Sequence, residues 1–348
     1  MAVLPSATGA VTLADYAKTL DPNGSISRVI EMLNQTNEVL TDMTWVEGNL
    51  PTGHLTTIRT GLPTPTWRKL YQGVPPTKSD RAQVTETIGQ LESRSFIDVD
   101  LAELGGNAAS LRLSEGKANM EGMNQEFVRT LFYGDTAVKP ETFNGFAQRY
   151  SSLTSANIGK NILDAGGVGS DNTSVWLVVW GPETVTGIYP KGSQAGLTHQ
   201  DLGENDHTDE NGNKYRVYED LWKWKCGIAV RDWRYIVRIA NIDVSDMFSA
   251  SSTQALTAST NILKLTRRAL DLIPSAGMGK AAFYANRSVK SAISIMAMDK
   301  SQNAVTIEPS TNQFNQAAPG VVNNGTTMMW GIPVRTCDKL LLTEARVV

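Results

Sequence analysis

The chain has 348 residues, 41% of them hydrophobic, and a formal charge of −3. That is enough chain for two intimately packed domains or one elaborate one, in a composition typical of a globular protein and not of a disordered one. A surface built to coat nucleic acid would need clustered excess Lys and Arg, which this balance argues against. Cys226 and Cys337 form no CxxC pair, and no N-terminal stretch has the basic, apolar and small-residue layout of a signal peptide, so a reducing, cytoplasmic place of synthesis is expected. The longest apolar runs, such as Val175–Trp180, fall far short of the roughly 20 residues that span a bilayer, and no membrane insertion is expected.

Residues 1 to 50 read as an arm, with two short amphipathic helices around Leu13–Leu20 and Ile26–Leu40 separated by the turn Asp21-Pro-Asn-Gly24. In the second, Val29, Ile30, Leu33 and Leu40 share one face, a stripe too narrow to bury itself. From Pro51 to Arg81 the composition shifts to Thr, Pro and Gly with scattered cations. Residues 54–60 and 66–71 are β-prone, and Gly61-Leu-Pro-Thr-Pro65 between them predicts a two-stranded ribbon. Such a ribbon is marginal by itself, so it is expected to project from the body and be held by another molecule. Arg59, Arg68, Lys69, Lys78 and Arg81 against only Asp80 make it locally cationic; the plainer reading of these charges is a solvated hairpin surface.

Val84–Asp100 reads as strands leading back into the body. Asn107–Tyr133 then carries the longest uninterrupted helical pattern, with Leu113, Gly116, Met120, Met123, Phe127 and Leu131 on one face, Asn107 as N-cap and Gly134 as C-terminal cap. At 1.5 Å per residue this helix is roughly 40 Å long. Gly116 and Gly122 each cost about 1 kcal/mol in a helix interior, which calls for close packing, a slight bend, or a helix that flexes as its domain changes shape.

Lys139-Pro140-Glu-Thr142 opens a short helical segment, and Asn172–Trp180 is an apolar, β-branched and aromatic run suited to a strand covered on both faces. Residues 181 to 213 hold two turns and an acidic loop from Asp201 to Gly212. Lys214–Asp243 has a long β signal with a break near Cys226-Gly227. Residues 253 to 273 predict an amphipathic helix with Leu256, Ile262, Leu263, Leu270 and Ile273 inward and Pro274 past its end. Ala281–Ala285 is a short buried strand, Asn286 caps a helix to about Met298, 300–325 is a loop or surface β excursion, and 326–335 and 339–348 are closing strands. No internal repeat is present.

Catalytic chemistry finds little support. Ser275–Ala281 superficially resembles a phosphate loop, but Pro274 stands where the first glycine belongs and Ala281 replaces the metal-binding Ser or Thr. Gly166-Gly-Val-Gly169 precedes a strand instead of following one, so it reads as a turn. His199, Asp201, Glu204, Asp206, His207 and Asp209 are the one dense set of metal-ligand types, yet their spacing matches neither HExxH nor a complete EF-hand, and a solvated acidic loop is the better reading. His54 is isolated in the ribbon, no GxSxG occurs, and no enzyme activity, metal or cofactor is expected.

The succession of arm, cationic hairpin, long helix and mixed α/β half resembles the major capsid proteins of tailed double-stranded DNA bacteriophages, with their Hong Kong 97-like, or Johnson, fold. Gly169–Trp180, Gly187–Gly192 and Gly227–Asn241 are similar to coat-protein sequence of short-tailed phages. The resemblance implies an α+β fold with an N-terminal arm over 1–50, an extended loop over 51–85, a peripheral domain over 86–144 with a spine helix at 107–133, and a mainly axial domain over 145–330. Part of 214–243 would return to the peripheral sheet, and 331–348 would be a C-terminal strand returning to the body. It implies a structural protein that assembles as hexamers and pentamers into an icosahedral head in the host bacterial cytoplasm. Its partners would be a portal protein, a cement or decoration protein, and packaged double-stranded DNA held without sequence-specific binding. Some relatives carry a built-in scaffold before the arm; its absence here implies a separate scaffolding protein. Arg59, Trp67, Arg68, Lys69, Tyr71, Lys78 and Arg81 are the candidate inter-subunit contacts, with the cations facing carboxylates of an adjacent subunit. The nearest alternative is an encapsulin-like nanocompartment shell, and the alternative from another class is a metal-dependent hydrolase using His199, His207 and the nearby carboxylates.

Overall fold

A computed structural model describes residues 37–104, 108–209, 211–248, 252–298, 305–308 and 326–348. The predicted helices between Leu13 and residue 36, the Asn107 cap and most of 300–325 lie outside these residues. The described chain forms two compact units, one of Gln90–Arg129 and Ala195–Cys226, the other of Asn37–Gly89, Thr130–Gln194 and Gly227–Val348.

The larger unit is built on β5 (Asn172–Trp180), buried at every position. β1 (Trp45–Glu47), β2 (Gly53–Gly61), β3 (Asp80–Asp98) and β4 (Ile162–Asp164) precede it, and β6 (Val185–Tyr189) follows. β5 pairs antiparallel with β9 (Ile236–Asp243) and β10 (Lys280–Ala285), which explains a run with no polar face. Alternation still sorts the side chains. Val175, Leu177 and Val179 join Ile262, Leu263, Ile273, Phe283 and Ile293 in a largely aliphatic core supplied partly by α2 (Ser252–Leu272) and α3 (Arg287–Met298). Trp176 and Trp180 join an aromatic layer with Phe132, Phe146, Tyr150 and Tyr284, their rings about 6 Å apart. Trp180 donates to Tyr284 Oη at 2.8 Å, and Tyr284 donates to Asp42 at 3.1 Å, so both polar tips are satisfied.

In the smaller unit, α1 (Ala108–Tyr133, of which 108–129 belong here) accompanies an antiparallel ribbon of β7 (Leu197–Thr208) and β8 (Lys214–Val230, of which 214–226 belong here). Ile97, Leu101, Ala102 and Leu111 form a small cluster, and Phe127 stacks on Trp224 at 4.5 Å. A side chain on Gly116 would meet the Trp222 ring at 3.2 Å, so that glycine marks close packing; one on Gly122 would meet nothing within 4 Å.

Several expectations change. Leu113 and Met120 are 60% and 40% exposed. At about 100° per residue they lie about 20–80° round the helix from the buried Gly116, Met123 and Phe127, so periodicity sets them beside the covered stripe and what packs against each turn, not the angle, decides their exposure. The acidic 201–212 segment is no loop: through Thr208 it is the outer strand of a ribbon, solvated along much of its length, so apolar alternation never marked it. β8 runs unbroken through Gly227, where a Cβ would lie 2.7 Å from the Thr87 carbonyl; the glycine permits close approach of β3 and does not break the strand. Residues 326–335 are a hairpin, β12 (Thr326–Met329) and β13 (Ile332–Thr336), turning at Trp330-Gly331 with φ +56° and +78°. β12 also pairs with β11 (Val305–Glu308). Residues 337–348 form a tail and no strand, tied to the body by side chains such as Asn241, which both donates to and accepts from Val347 at 2.9 and 2.8 Å. The helical turn expected from Lys139 appears later, at Phe146–Arg149. The whole is a sheet-dominated α+β architecture.

Candidate assembly interface

β2 and β3 form the predicted ribbon, antiparallel from Gly53↔Thr87 to Arg59↔Arg81, with a register shift before Gly61↔Asp80. The returning strand is β3, not residues 66–71. Pro63, Pro65, Pro75 and Pro76 lack the N–H a ladder needs, so 62–79 stays outside the sheet as an irregular loop.

That loop exposes what a folded chain ordinarily covers. Trp67 and Tyr71 are 100% and 103% accessible, and Leu62, Leu70 and Val74 are exposed with them. A lone exposed apolar residue is ordinary; five within thirteen positions mark an interaction surface. Lys69 O accepts from Gln72 N at 3.2 Å, closing a turn in which Tyr71 takes φ +67°, a left-handed conformation uncommon for a bulky side chain. Among the described residues Arg59, Arg68, Lys69, Lys78 and Arg81 make no ion pair. Arg59 and Arg81 stand directly across the ribbon from each other, where like charges are destabilising. The structure thus groups Trp67, Arg68, Lys69 and Tyr71 at the loop, places Arg59 with Arg81 on its stem, and sets Lys78 on the return.

The root of the ribbon carries residues that sequence reasoning missed. Asn49 imitates a neighbouring strand, donating to Leu55 O at 2.8 Å and accepting from Leu55 N at 2.7 Å. Glu86 is buried and gripped by both terminal nitrogens of Arg149. His54, opposite Glu86, is also buried; desolvation, then the Arg231 charge, hold its pKa below the usual histidine value, against a smaller opposing pull from Glu86. The one sequence signal for this cluster is a histidine and a glutamate in a stretch otherwise rich in Thr, and pairing them required the register. Beside β2 lies a groove of about 900 Å³, lined by His54–Leu62 with Asn157, Glu183 and Arg231–Arg234.

In the smaller unit a second groove, about 440 Å³, has Leu91, Phe96, Ala118 and Met123 among its walls and three carboxylates, Glu92, Glu115 and Glu126, around it. On the ribbon of this unit, His199 Nε2 lies 2.9 Å from Asp220, and His207 lies 3.6 Å from Glu219. Arg112 bridges Asp201 and Asp220 at 2.7 and 2.8 Å, and Arg94 meets Glu219 at 3.2 Å. The two histidines serve different carboxylates, and among the described residues no three His, Cys, Asp or Glu side chains converge as a metal site. Among them too, no helix is long and apolar enough to cross a membrane.

Comparison with known proteins places this geometry. The family described as major capsid protein GP7 matches residues 21–348. In the near-atomic-resolution structure of bacteriophage epsilon15, one chain is 31% identical, covers 100% of this chain and 99% of its own length, and superposes with a TM-score of 0.74. The bacteriophage JBD30 capsid, at 10% identity with 89% and 92% of the two chains covered, reaches 0.46, and the SrpI encapsulin of Synechococcus elongatus, at 9% with 62% and 92% covered, reaches 0.41. Both of those lie below the level at which function carries over. No curated protein sequence matches. The full-length likeness to epsilon15 and the family match agree with an outlying ribbon whose apolar tip is uncovered in a lone subunit, and the chain therefore belongs to the major capsid protein GP7 family, the proteins that form bacteriophage shells.

Proposed function

We propose that this bacteriophage major capsid protein closes its icosahedral shell by laying the 62–79 loop of each subunit on an adjacent copy. The observation that carries the reading is the loop itself: Trp67 and Tyr71 wholly exposed, beside Arg68 and Lys69 that have no carboxylate among the described residues. We assign as the receiving surface on the neighbour the groove whose walls include Leu91, Phe96 and Met123 and whose rim carries Glu92, Glu115 and Glu126 beside Arg94; Glu92 and Glu126 pair in the subunit with Lys223 and Arg129 at 3.3 and 3.5 Å, partners the loop cations would exchange with. Repeated heterologous contacts of this kind close into rings of five and six, and rings into a shell. Burying the tip only on a neighbour makes ordering of the loop and assembly draw on one free energy.

In this reading residues 1–50 are an arm, 51–85 the extended loop, 86–144 the peripheral domain with its spine at 107–133, 145–330 mainly the axial domain, and 331–348 a returning C-terminal segment. The chain is structural and carries out no catalysis. It assembles in the host bacterial cytoplasm on a separate scaffolding protein, around a portal protein, and is sealed by a cement or decoration protein. The acidic net charge suits an inner face along which double-stranded DNA slides without sequence-specific contact. Reversing both loop cations (R68E/K69E) should abolish shells while leaving the subunit soluble, as seen by negative-stain microscopy of the protein expressed with its scaffolding partner. Normal shells from that variant would defeat the assignment.

A further inference from the structure

If the ribbon is the assembly element proposed above, its direction is set at its root, where four ionisable side chains meet. Glu86 stands opposite His54 in the β2–β3 register and is committed to Arg149, whose Nη1 donates to it at 2.7 Å. Arg231 donates through Nη1 to the Pro182 carbonyl at 2.6 Å, and its Nη2 lies 3.2 Å from His54 Nε2. On the far side of the ring, the Asn49 N–H points at His54 Nδ1 from 3.4 Å. Of the other charged groups along the adjoining groove, Asp232 is held by Arg234 at 2.7 Å, and Glu183 and Arg59 complete the set.

Both nitrogens of this imidazole therefore face hydrogen-bond donors. A neutral ring has one acceptor nitrogen to offer them, and an imidazolium has none. An ordinary structural histidine donates to one partner and accepts from another, so on gaining a proton it loses one bond and keeps the other; His54, with donors at both nitrogens, is left with no acceptor for either N–H. Here the proton removes the acceptor altogether and sets a second cation 3.2 Å from the Arg231 guanidinium, while the nearest carboxylate, Glu86, is already occupied.

We infer that His54 is a proton-sensitive latch on the extended loop: neutral, its one acceptor nitrogen fastens β2 to Arg231 or, in the other tautomer, to the turn at Asn49; protonated, it can accept from neither and frees the ribbon root. The neighbouring backbone tightens the coupling, because Asn49 also holds Leu55 through its side chain, so a turn released at one point loosens the strand edge at the next. Burial and the Arg231 charge, which lower the pKa, place the release in mildly acidic solution, below the ordinary histidine range.

The test uses unassembled full-length subunits. With three histidines in the chain, the His54 resonance is identified by its loss in H54Q. In the wild type its titration midpoint should lie below the ordinary value, and R231Q should raise it. Amide exchange over residues 49–61, corrected for intrinsic rates, should accelerate about tenfold between about pH 7.5 and about pH 5.5 in the wild type and stay flat in H54Q. A wild-type root whose exchange does not change with pH, an H54Q profile that follows the wild type, or an unmoved midpoint in R231Q would overturn the latch. Because no shell is formed in this experiment, such a result leaves the loop's role in assembly standing, and normal shells from R68E/K69E would remove that role without altering the titration.

Discussion

Glu344 shows what one residue carries when water cannot reach it. Its carboxylate pairs with Arg238 at 2.7 Å, both side chains being 5% exposed, and it accepts from the hydroxyls of Tyr133 and Ser174. Arg238 also donates to the Tyr150 carbonyl at 2.8 Å and lies over the Trp176 ring at 5.0 Å. Replacing Glu344 by Ala leaves that guanidinium buried and uncompensated, and denaturant unfolding should register a loss of about 3–5 kcal/mol. Removing both charges as R238M/E344L should recover much of it; a double variant no better than E344A would show that the ion pair itself, and not the stranded charge, sets the stability. The two helix glycines separate in the same way. Gly122 faces open space, so G122A should stabilise the subunit by about 0.5–1 kcal/mol through helix propensity, whereas G116A gains the same propensity against the Trp222 ring at 3.2 Å and should melt well below G122A. Sequence showed that both glycines needed a reason, but the difference between them lies in a side chain about a hundred positions away.

At the scale of elements, the β2–β3 ribbon is built at some cost to itself. Arg59 and Arg81 oppose one another across the strands. R81E should convert the clash into a cross-strand ion pair, raising the stability of the free subunit by roughly 0.2–1 kcal/mol, and should at the same time depress shell yield. Calorimetry on the dispersed subunit and particle counts from the same preparation check the two halves; a variant that assembles as well as wild type would mean this pair is not held for a neighbour. His54 adds a pH dependence with a definite sign. Its pKa is lowered on folding, so the unfolded chain binds the proton more readily and stability rises with pH through the window below about 6.5, then levels off. The ribbon was legible as a hairpin from its Thr-rich alternation and its turn residues, but its length was not. Prolines displaced the returning strand from 66–71 to β3, and a register cannot be read before both strands are known. β7 was hidden for the opposite reason: an outer strand solvated along much of its length has no apolar alternation to reveal it.

For the whole molecule, the proposed role of the 62–79 loop makes the protein a part completed by its copies. The tip exposes Arg68-Lys69 next to Leu70 in an irregular stretch without ladder hydrogen bonds, so trypsin should cut the free subunit there quickly, with shells protecting the same bonds by orders of magnitude. Mass spectrometry of the digests, before and after assembly, reads both states. Equal cleavage in shells and subunits would place the tip on the open surface and remove it from the contact. Weak, repeated contacts of this sort let a growing shell correct errors, and two aromatics with two cations at the tip are of a size to supply them.

The sequence by itself determined the class of this protein: a long helix from its three-and-four spacing, a doubly covered strand from Asn172–Trp180, an α+β body, and a cationic two-stranded ribbon that is marginal alone. These are local properties, carried by composition and periodicity within some tens of residues. Only the tertiary structure decided that Glu86, Arg149, Arg231 and His54 share one root, that Arg238 and Glu344 bind the tail to the body, and that Leu113 and Met120 face outward. Each of those depends on contacts between residues far apart in the chain, and a hydrogen bond or an ion pair over such a span leaves no periodic trace in either partner's neighbourhood.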